Sequence, residues 1–298
     1  MSSHPGPPQN PAHPANAERA IAFDTLGARV AVLAEGMPPV CRLGLATRGN
    51  THLQQDDVEY AVERGVNYLN WCGHVDGLSR AVARMGSLRK RVVLAAQFEA
   101  RSARDAEREL EAMLKELQTE CIDVLTLYYV ESEREWNEIL APGGAWDYLA
   151  EQKRKSRIKM IGLTTHQRPL AAKWAESGRL DLLMIRYNAA HRGAERDVFP
   201  VAQRRQIPVI TFTGLRWKAL LHSAPDDPPT YVAPSAADCY RFCLAHPVVS
   251  IALMAPGNRP ELEQNLRLLD DWRAASKAER EELVAHGERV KLHAGVFW

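Results

Sequence analysis

The chain has 298 residues, 46% of them hydrophobic, and its formal net charge is +1 because 38 basic residues nearly balance 37 acidic ones. A near-neutral chain offers no electrostatic attraction for nucleic acid or an acidic membrane surface, so a small neutral or mildly charged substrate is the default expectation. The length suits two ordinary domains or one (β/α) barrel, and the hydrophobic pattern must decide between them.

Residues 1–17 are rich in Pro, Ser, Asn and His, without the basic start and apolar core of a signal peptide. This composition predicts a disordered tail, and no later stretch is long enough to span a bilayer. The cysteines are Cys41, Cys72, Cys121, Cys239 and Cys243. Their odd number and wide spacing favour neither a disulfide framework nor a metal site, so we expect reduced thiols and a cytoplasmic location.

Short apolar runs alternate with amphipathic segments along the rest of the chain. Residues 25–33, followed by Glu35-Gly36, have the alternation of a short hairpin that plugs one end of a barrel. The strands predicted after it are 40–46, 66–69, 92–96, 121–128, 158–163, 180–185, 208–212 and 248–254. The predicted helices are 56–64, 78–85, 103–117, 145–153, 170–176, 194–204, 236–245, 259–269 and a final one at 277–290.

Eight strand–helix units in about 250 residues are typical of an α/β fold, the (β/α)8 TIM barrel, here with an N-terminal β-hairpin and an extra C-terminal helix. Parallel strands need crossover helices, and the sheet closes at that number of strands. A doubly wound sheet is the alternative, but no G-x-G-x-x-G follows the first strand. We predict a tail at 1–17 and a single barrel domain at 18–298.

Several segments resemble the motifs of one family. Residues 114–124 (L-x-x-L-x-T-x-x-I-D-V) and 157–164 (R-I-K-M-I-G-L-T) are similar to "L-x-x-L-x-T-x-Y-I-D-L" and "K-I-R-x-I-G-V-S". Residues 186–188 (R-Y-N) and 210–215 (I-T-F-T-G-L) are similar to "Q-x-x-Y-N" and "I-A-Y-S-P-L". Residues 255–266 (A-P-G-N-R-P-E-L-E-Q-N-L) resemble "G-x-R-N-x-x-Q-L-E-E-N-L", the most specific match. The family is the aldo-keto reductase superfamily, whose TIM barrels bind NAD(P)H.

The last of these segments also has a physical basis for binding phosphate. A Pro-Gly turn that leaves a buried strand and opens a helix presents free backbone N–H groups and a dipole's positive end, here beside Arg259. Barrels place phosphate sites after the last strand, although the turn and a solvated Arg259 are the plainer interpretation. The resemblance implies NADP or NAD as cofactor. The residues it implies for the cofactor site are Thr164, Phe212, Gly214, Leu215, Gly257, Asn258, Arg259, Glu261 and Asn265.

Two of those residues have specific expected effects. By the resemblance, Phe212 stacks on the nicotinamide ring, although a Phe on a buried strand more often belongs to the core. A carboxylate at Glu261 would repel a 2′-phosphate, which leaves the preference between NADP and NAD open.

The catalytic residues of the family are replaced in this chain. The family uses a Tyr that donates a proton, a Lys that lowers its pKa, an Asp that holds the Lys, and a His that orients the carbonyl. Residues 65–77 resemble "G-I-N-x-x-D-T-A-x-x-Y-G" but have Asn70 at the Asp and Val75 or Asp76 at the Tyr. Gln97 stands at the Lys and Tyr128 at the His. By the resemblance, the chain would be a divergent member that lacks the usual tetrad.

The replacements of Lys and Asp look concerted. A buried Asp without its counter-charge is costly, so Asn70 and Gln97 are expected to form an amide pair where the family has a charged pair. A Tyr without a neighbouring cation is a weak acid, and loss of a positioned general acid typically costs about 10²- to 10⁴-fold in rate. Ordinary aldehyde reduction is therefore expected to be slow.

Polar side chains that follow several predicted strands are candidates for a rebuilt site. Tyr128 and His74 are the candidate proton donors, and with Asn70 and Gln97 they form the candidate catalytic set. The candidate substrate-binding residues are Trp71, Asp76, His166, Arg186 and Trp217. The arginines Arg168, Arg186 and Arg192 would suit a carboxylate or phosphate on the substrate. For each residue alone, a solvated loop or core packing is the alternative.

Three functions remain open from the sequence. The first is an NAD(P)-dependent oxidoreductase that acts on a small carbonyl or alcohol with an altered proton donor. The second is a barrel that keeps the cofactor site as a binding or regulatory protein, or that performs a lyase or isomerase step. The third is a structural role. The sequence names neither the substrate nor the oligomeric state, and it predicts neither a nucleic-acid nor a membrane partner.

Overall fold

The computed structural model describes residues 26–48 and 51–293. Eight parallel strands close into one barrel that helices surround. The predicted (β/α)8 barrel is therefore confirmed, because a doubly wound sheet would end in open edge strands. The predicted tail at 1–17 lies outside the described residues, so the division into a tail and a single domain at 18–298 stays a prediction.

Ten strands lie within the described residues. They are β1 (Val30–Ala31), β2 (Val40–Cys41), β3 (Leu43–Ala46), β4 (Tyr68–Trp71), β5 (Val93–Phe98), β6 (Ile122–Leu127), β7 (Ile158–Thr165), β8 (Leu182–Arg186), β9 (Val209–Phe212) and β10 (Val249–Met254). Strands β1 and β2 pair antiparallel, β3 to β10 follow one another around the barrel, and β10 pairs with β3 to close it.

Eleven α-helices lie within the same residues. They are α1 (Gln55–Glu63), α2 (Gly77–Arg84), α3 (Ala103–Glu116), α4 (Glu133–Leu140), α5 (Ala145–Arg154), α6 (Arg168–Glu176), α7 (Ala194–Asp197), α8 (Phe199–Arg205), α9 (Ala236–Ala245), α10 (Arg259–Asp270) and α11 (Lys277–His293). Short 3-10 helices occupy Gly86–Arg91 and Ala219–Leu221. Within 26–48 and 51–293, no helix combines the length and apolarity needed to cross a membrane.

The predicted hairpin is present, but its second strand comes from farther along the chain. Val30 pairs with Cys41 and Ala31 with Val40, so the segment predicted as the start of the first barrel strand belongs to the hairpin. Leu33 and Met37 in the connection are buried among the inward-facing residues of the barrel strands. The hairpin therefore closes the N-terminal end of the barrel, as expected.

Two helical regions differ from the prediction. Helix α4 was not expected, and it begins at Ser132, whose side chain accepts a hydrogen bond from the Glu135 N–H. The predicted helix at 194–204 is divided into α7 and α8. Pro200 lies in the first turn of α8, where its missing N–H costs no hydrogen bond. In an uninterrupted helix over 194–204, the same missing N–H would cost one backbone hydrogen bond.

The start of β4 also differs, and this shift moves a candidate site residue. The strand was predicted at 66–69, but Val66 donates its N–H to the Ala61 carbonyl and closes the end of α1. The strand therefore covers Tyr68–Trp71. Asn70 consequently lies inside the strand, on the same face as Tyr68, rather than in the loop that follows.

The barrel interior is apolar at one end and polar at the other. Side chains alternate along each strand, so residues two apart share the inward face. On β7 these are Met160, Gly162 and Thr164, of which Met160 belongs to the interior core. A Cβ at Gly162 would lie 2.9 Å from Leu182 Cδ2 and 3.0 Å from Thr126 Cγ2, so a larger residue would require these side chains to shift. The next inward positions toward the strand ends are polar, and they form the mouth of the barrel.

Helix α11 contacts the loop after β8, which carries Arg192, one of the arginines suggested to bind an anion. A Cβ at Gly287 would lie 2.5 Å from both the carbonyl carbon and the oxygen of Ala189. Because a backbone group cannot yield as a side chain can, we expect Gly287→Ala to lower the free energy of unfolding by about 1 to 3 kcal/mol in urea denaturation.

The matched control is Glu288→Ala, the exposed neighbour on the same helix, which should change that free energy by less than about 0.5 kcal/mol. Equal stabilities of the two variants would show that α11 does not press on this loop.

Candidate functional site

A cavity of about 380 Å³ opens at the carboxyl ends of the barrel strands. Its floor consists of inward-facing residues from the strand ends, and its sides are the loop after β9 and the start of α10. This volume lies within the range of roughly 300 to 1,000 Å³ that is usual for small-molecule sites. The position agrees with the general placement of active sites in TIM barrels.

The structure brings ten of the predicted site residues together in the wall of this cavity. They are Asn70, Gln97, Tyr128, Thr164, Phe212, Gly214, Leu215, Trp217, Glu261 and Asn265. Eight others lie outside the wall: Trp71, His74, Asp76, His166, Arg186, Gly257, Asn258 and Arg259. The predicted residues of the strand ends and of the loop after β9 therefore largely line the cavity, whereas Gly257, Asn258, Arg259 and the loop after β4 do not.

Two polar side chains in the cavity wall are buried without partners among the described residues. Asn70 has no exposed surface, and neither its amide oxygen nor its amide nitrogen makes a hydrogen bond. The Thr164 hydroxyl is likewise buried and makes no hydrogen bond with a described residue. The expected amide pair between Asn70 and Gln97 is thus not formed. An unmade buried hydrogen bond costs about 1 to 3 kcal/mol, so these groups are suited to a ligand that satisfies them.

Tyr128 lies in the wall with its ring close to that of Tyr129, at a centroid distance of 4.0 Å. Burial raises the pKa of Tyr128 well above its ordinary value, and the Tyr129 hydroxyl raises it further. The phenol therefore stays protonated at neutral pH. Tyr128 can donate a hydrogen bond into the cavity, but it is a poorer proton donor than an unperturbed tyrosine.

His166 lies behind this pair rather than in the wall. Its ring stacks on Tyr129 at 4.5 Å, and its Nδ1 is 3.1 Å from Glu131 Oε1. The same carboxylate oxygen accepts the backbone N–H of His166. Burial lowers the pKa of His166, while Glu131 opposes this effect and Arg186 adds to it. The carboxylate thus holds the imidazole in one orientation beside the mouth.

The loop after β4 is held by local contacts. His74 is exposed, and its carbonyl accepts a hydrogen bond of 2.7 Å from the indole of Trp71, which is packed in the outer core. Asp76 caps α2 by accepting the Ser79 N–H at 2.8 Å. Val75, the other position matched to the family Tyr, is exposed. No side chain of this group lines the cavity.

The start of α10 differs from the phosphate site that the sequence suggested. The Gly257 N–H is not free, because it donates to Glu261 Oε2 at 2.9 Å, and Glu261 also forms an ion pair with Lys218. Asn258 caps the helix by accepting the Glu261 N–H. The carboxylate of Glu261 thus occupies the place expected for an anion.

Arg259 points toward α1 rather than toward the cavity. Its guanidinium contacts Asp57 at 3.2 Å and Glu263 at 3.0 Å, and it lies 3.7 Å above the ring centroid of Tyr60. These contacts connect α10 to α1. A phosphate would therefore have to compete with two carboxylates for this side chain.

Several wall residues were not in the predicted set: Thr47, Arg48, Tyr129, Thr213, Lys218 and Tyr240. Thr47 and Arg48 follow the first barrel strand, and Tyr129 follows Tyr128, so the rule that polar residues at strand ends belong to the site could have identified them. Thr213 and Lys218 belong to the loop after β9, where the backbone of both is left-handed. Tyr240 comes from α9, and no local signal in the sequence marks it.

The family described as the Aldo/keto reductase family matches residues 42–231, which is more than half of the chain. The chain belongs to this family. The resemblance found in its motifs is confirmed, and the altered tetrad stays a prediction. A comparison with curated proteins gave no match.

Solved aldo-keto reductases have the same fold. The aldo-keto reductase AKR11C1 from Bacillus halodurans, in its holo form, is 16% identical with a TM-score of 0.70, over 90% of this chain and 98% of that one. An aldo-keto reductase from Klebsiella pneumoniae in complex with NADPH is 20% identical with a TM-score of 0.68, over 84% and 92%. Another Klebsiella pneumoniae structure, with NADP and acetate, is 19% identical with a TM-score of 0.65, over 84% and 92%. At these identities the likeness shows the fold alone.

A double-mutant cycle can measure how the family's Asp and Lys, placed at positions 70 and 97, change the stability of this barrel. Asn70 is paired in register with Ala95, and Gln97 follows two residues later on the same inward face. We expect Asn70→Asp to lower the free energy of unfolding at pH 7 by about 3 kcal/mol, because the buried carboxylate has no counter-charge. The burial raises the folded-state pKa of that carboxyl, so the loss should shrink as the pH falls.

Gln97→Lys should restore stability only in the presence of Asp at position 70, with a coupling energy of about 1 to 2 kcal/mol from urea denaturation of all four proteins. Strictly additive effects would mean that the two side chains lie too far apart to form the family's ion pair.

Proposed function

We propose that this aldo/keto reductase binds NADP(H) in the cavity and interconverts a small carbonyl compound and its alcohol with an altered proton donor. The observation that carries the proposal is the pair of buried, unpartnered polar side chains, Asn70 and Thr164, in the cavity wall of this family's barrel. Their donors and acceptors suit a ligand with an amide group, such as nicotinamide.

Other features of the cavity fit a nicotinamide dinucleotide. Phe212 is a half-buried aromatic in the wall, which suits stacking against a planar ring. Arg48 brings positive charge to the cavity and suits a pyrophosphate, while Lys218 is already paired with Glu261. Asn265 and Glu261 line the side formed by α10. The relatives whose titles name NADPH or NADP support the same cofactor.

The chain's own groups then determine the chemistry. When bound, a nicotinamide dinucleotide supplies or accepts hydride. Tyr128 remains protonated and donates a hydrogen bond that polarises the substrate carbonyl, while the buried wall excludes water from the reacting atoms. Because no cation stabilises its phenolate, Tyr128 gives up its proton reluctantly, so reduction is slow compared with that of a reductase that keeps the tetrad.

A second candidate is a barrel that binds the dinucleotide without turnover, or one that performs non-redox chemistry. The raised pKa of Tyr128 favours this second candidate, because Tyr128 is the candidate proton donor in the wall and is a weak acid. The two candidates share the cofactor site and differ only in whether carbonyl compounds are reduced.

Dinucleotide binding and turnover test these candidates together. Trp217 lines the cavity, so titration with NADPH should change the tryptophan fluorescence. Aldehyde reduction should be slow, and its rate should be nearly flat from about pH 6 to 9, because the pKa of Tyr128 lies above its ordinary value near 10. The rate is measured by the loss of NADPH absorbance.

Tyr128→Phe should leave NADPH binding intact and lower kcat by about a hundredfold. Tyr148→Phe, on α5 away from the cavity, is the matched control with the same loss of one hydroxyl. Binding without turnover across a panel of aldehydes and ketones favours the second candidate. No binding of NADPH or NADH at high concentration rejects both.

The carboxylate of Glu261 generates a separate prediction about cofactor choice. It lies in the cavity wall, held by Lys218 and the Gly257 N–H, where it would repel an additional phosphate. We expect Glu261→Gln to raise the affinity for NADPH relative to NADH by about threefold to tenfold. The ratio is measured by fluorescence titration with both dinucleotides.

Asp270→Asn removes one exposed negative charge at the other end of α10 and should leave the ratio unchanged. An unchanged ratio in the Glu261 variant would place the adenosine phosphate elsewhere.

A further inference from the structure

We propose that the substrate of this site carries a carboxylate, and that the guanidinium of Arg186 binds it at the edge of the cavity. The inference rests on the proposed function, because it adds a substrate class to the same carbonyl site. It depends on the position of Arg186, on its lack of a partner, and on the charges around it.

Arg186 is directed to the mouth of the barrel. Leu182 and Met184 belong to the interior core, so the alternation of β8 places Arg186 on the same inward face, one step closer to the mouth. Met184 and Phe212 both line the cavity. Phe212 on β9 pairs in register with Arg186 on β8. The backbone of Arg186 is therefore next to that of the residue proposed to stack on the nicotinamide ring.

The three arginines that the sequence suggested for an anion, Arg168, Arg186 and Arg192, differ in their contacts. Arg168 contacts Asp197 at 2.8 Å, and Arg192 contacts Glu195 at 2.9 Å. Arg186 has no ion pair with any described residue, and its Nη1 is buried without a hydrogen-bond partner. Arg168 and Arg192 are thus each paired with a carboxylate of the protein, whereas Arg186 is not.

The surroundings of Arg186 are positive. Arg216 is almost fully buried, and its guanidinium is 3.0 Å from His191 Nε2. Burial lowers the pKa of Arg186, and Arg168 lowers it further. Burial lowers the pKa of His191 to about 4, with Arg186 and Arg216 as the next causes. The pKa values of Arg186 and His191 are therefore both lowered by neighbouring positive charge.

The nearby acid, Glu131, does not serve as the partner of Arg186. It acts on Arg186 only through its electrostatic field, since its Oε1 accepts hydrogen bonds from the ring and the backbone N–H of His166. A half-buried cation without an anion is costly, and an arginine binds a planar carboxylate with two parallel hydrogen bonds. Arg186 is itself only partly buried, so a carboxylate on the substrate would supply the missing charge.

The rings around Arg186 indicate the character of the rest of the substrate. His166 stacks on Tyr129, and Phe212 lies 5.8 Å from His166 in an edge-to-face arrangement. An aromatic surface next to a cation suits a small organic acid with an apolar or planar body. A pair of aldehydes that are matched in their ring, one with a carboxylate and one with a neutral ester, can therefore test the inference.

The experiment compares 4-formylbenzoate with its methyl ester as substrates, with NADPH as reductant. The wild-type protein should reduce the acid with a kcat/KM higher by about tenfold to a hundredfold, chiefly through a lower KM. Arg186→Gln should abolish this preference, and Arg186→Lys should restore part of it. Arg204→Gln, which removes a surface arginine paired with Glu176, is the control and should retain the full preference.

A binding measurement separates failure of this inference from failure of the proposed function. Benzoate and benzamide are titrated into the wild-type and Arg186→Gln proteins by calorimetry. If the aldehydes are not reduced but benzoate binds only to the wild type, the carboxylate site stands and the proposed oxidoreductase fails. If acid and ester are reduced equally well, the inference is overturned and the oxidoreductase stands. If Arg186→Gln does not fold, the ratio of the two substrates in the wild type and in Arg186→Lys decides.

Discussion

Closure of the barrel by the pairing of β10 with β3 is the constraint on which the rest of the structure depends. Leu253 and Met254 pair with Gly44 and Leu45, and this pairing brings the first and last strands of the ring together. Because the strands are parallel and in a closed ring, all eight carboxyl ends meet at one mouth. Side chains from eight separate segments therefore converge on one cavity, although none of them is close to the others in sequence.

The mouth is divided between a neutral side and a positive side. On the neutral side lie Asn70 and Gln97, which are predicted to replace the charges that the family carries, and a protonated Tyr128 lies beside them. On the positive side, Arg186 is half-buried, and its Nη1 has no hydrogen-bond partner among the described residues. The predicted replacement would remove the charge that acts on a tyrosine elsewhere in the family and leave Arg186 as a cation at this face. A change of this kind is expected to alter which substrates are bound as well as how fast they react.

The cofactor side of the cavity shows how strongly local contacts modify a familiar segment. Residues 255–266 carry the family pattern, yet Glu261 turns back onto the Gly257 N–H and Lys218, while Arg259 turns outward to Asp57 and Glu263. The same helix start therefore presents a carboxylate where the pattern alone suggests a site for phosphate. The motif specifies the turn and the helix, and individual side-chain contacts decide the charge that a ligand meets.

The sequence by itself determined the alternation of strands and helices, because a period of two or 3.6 in apolar residues reflects burial on one face and is local. It also indicated the family and ten residues of the cavity wall, since strand ends in a barrel share one mouth. Only the tertiary structure decided that Asn70 and Gln97 do not form a hydrogen bond, that the His74 loop lies outside the wall, and that Arg186 lacks the carboxylate that its neighbours have. These outcomes depend on contacts between residues far apart in the chain, which no local pattern encodes.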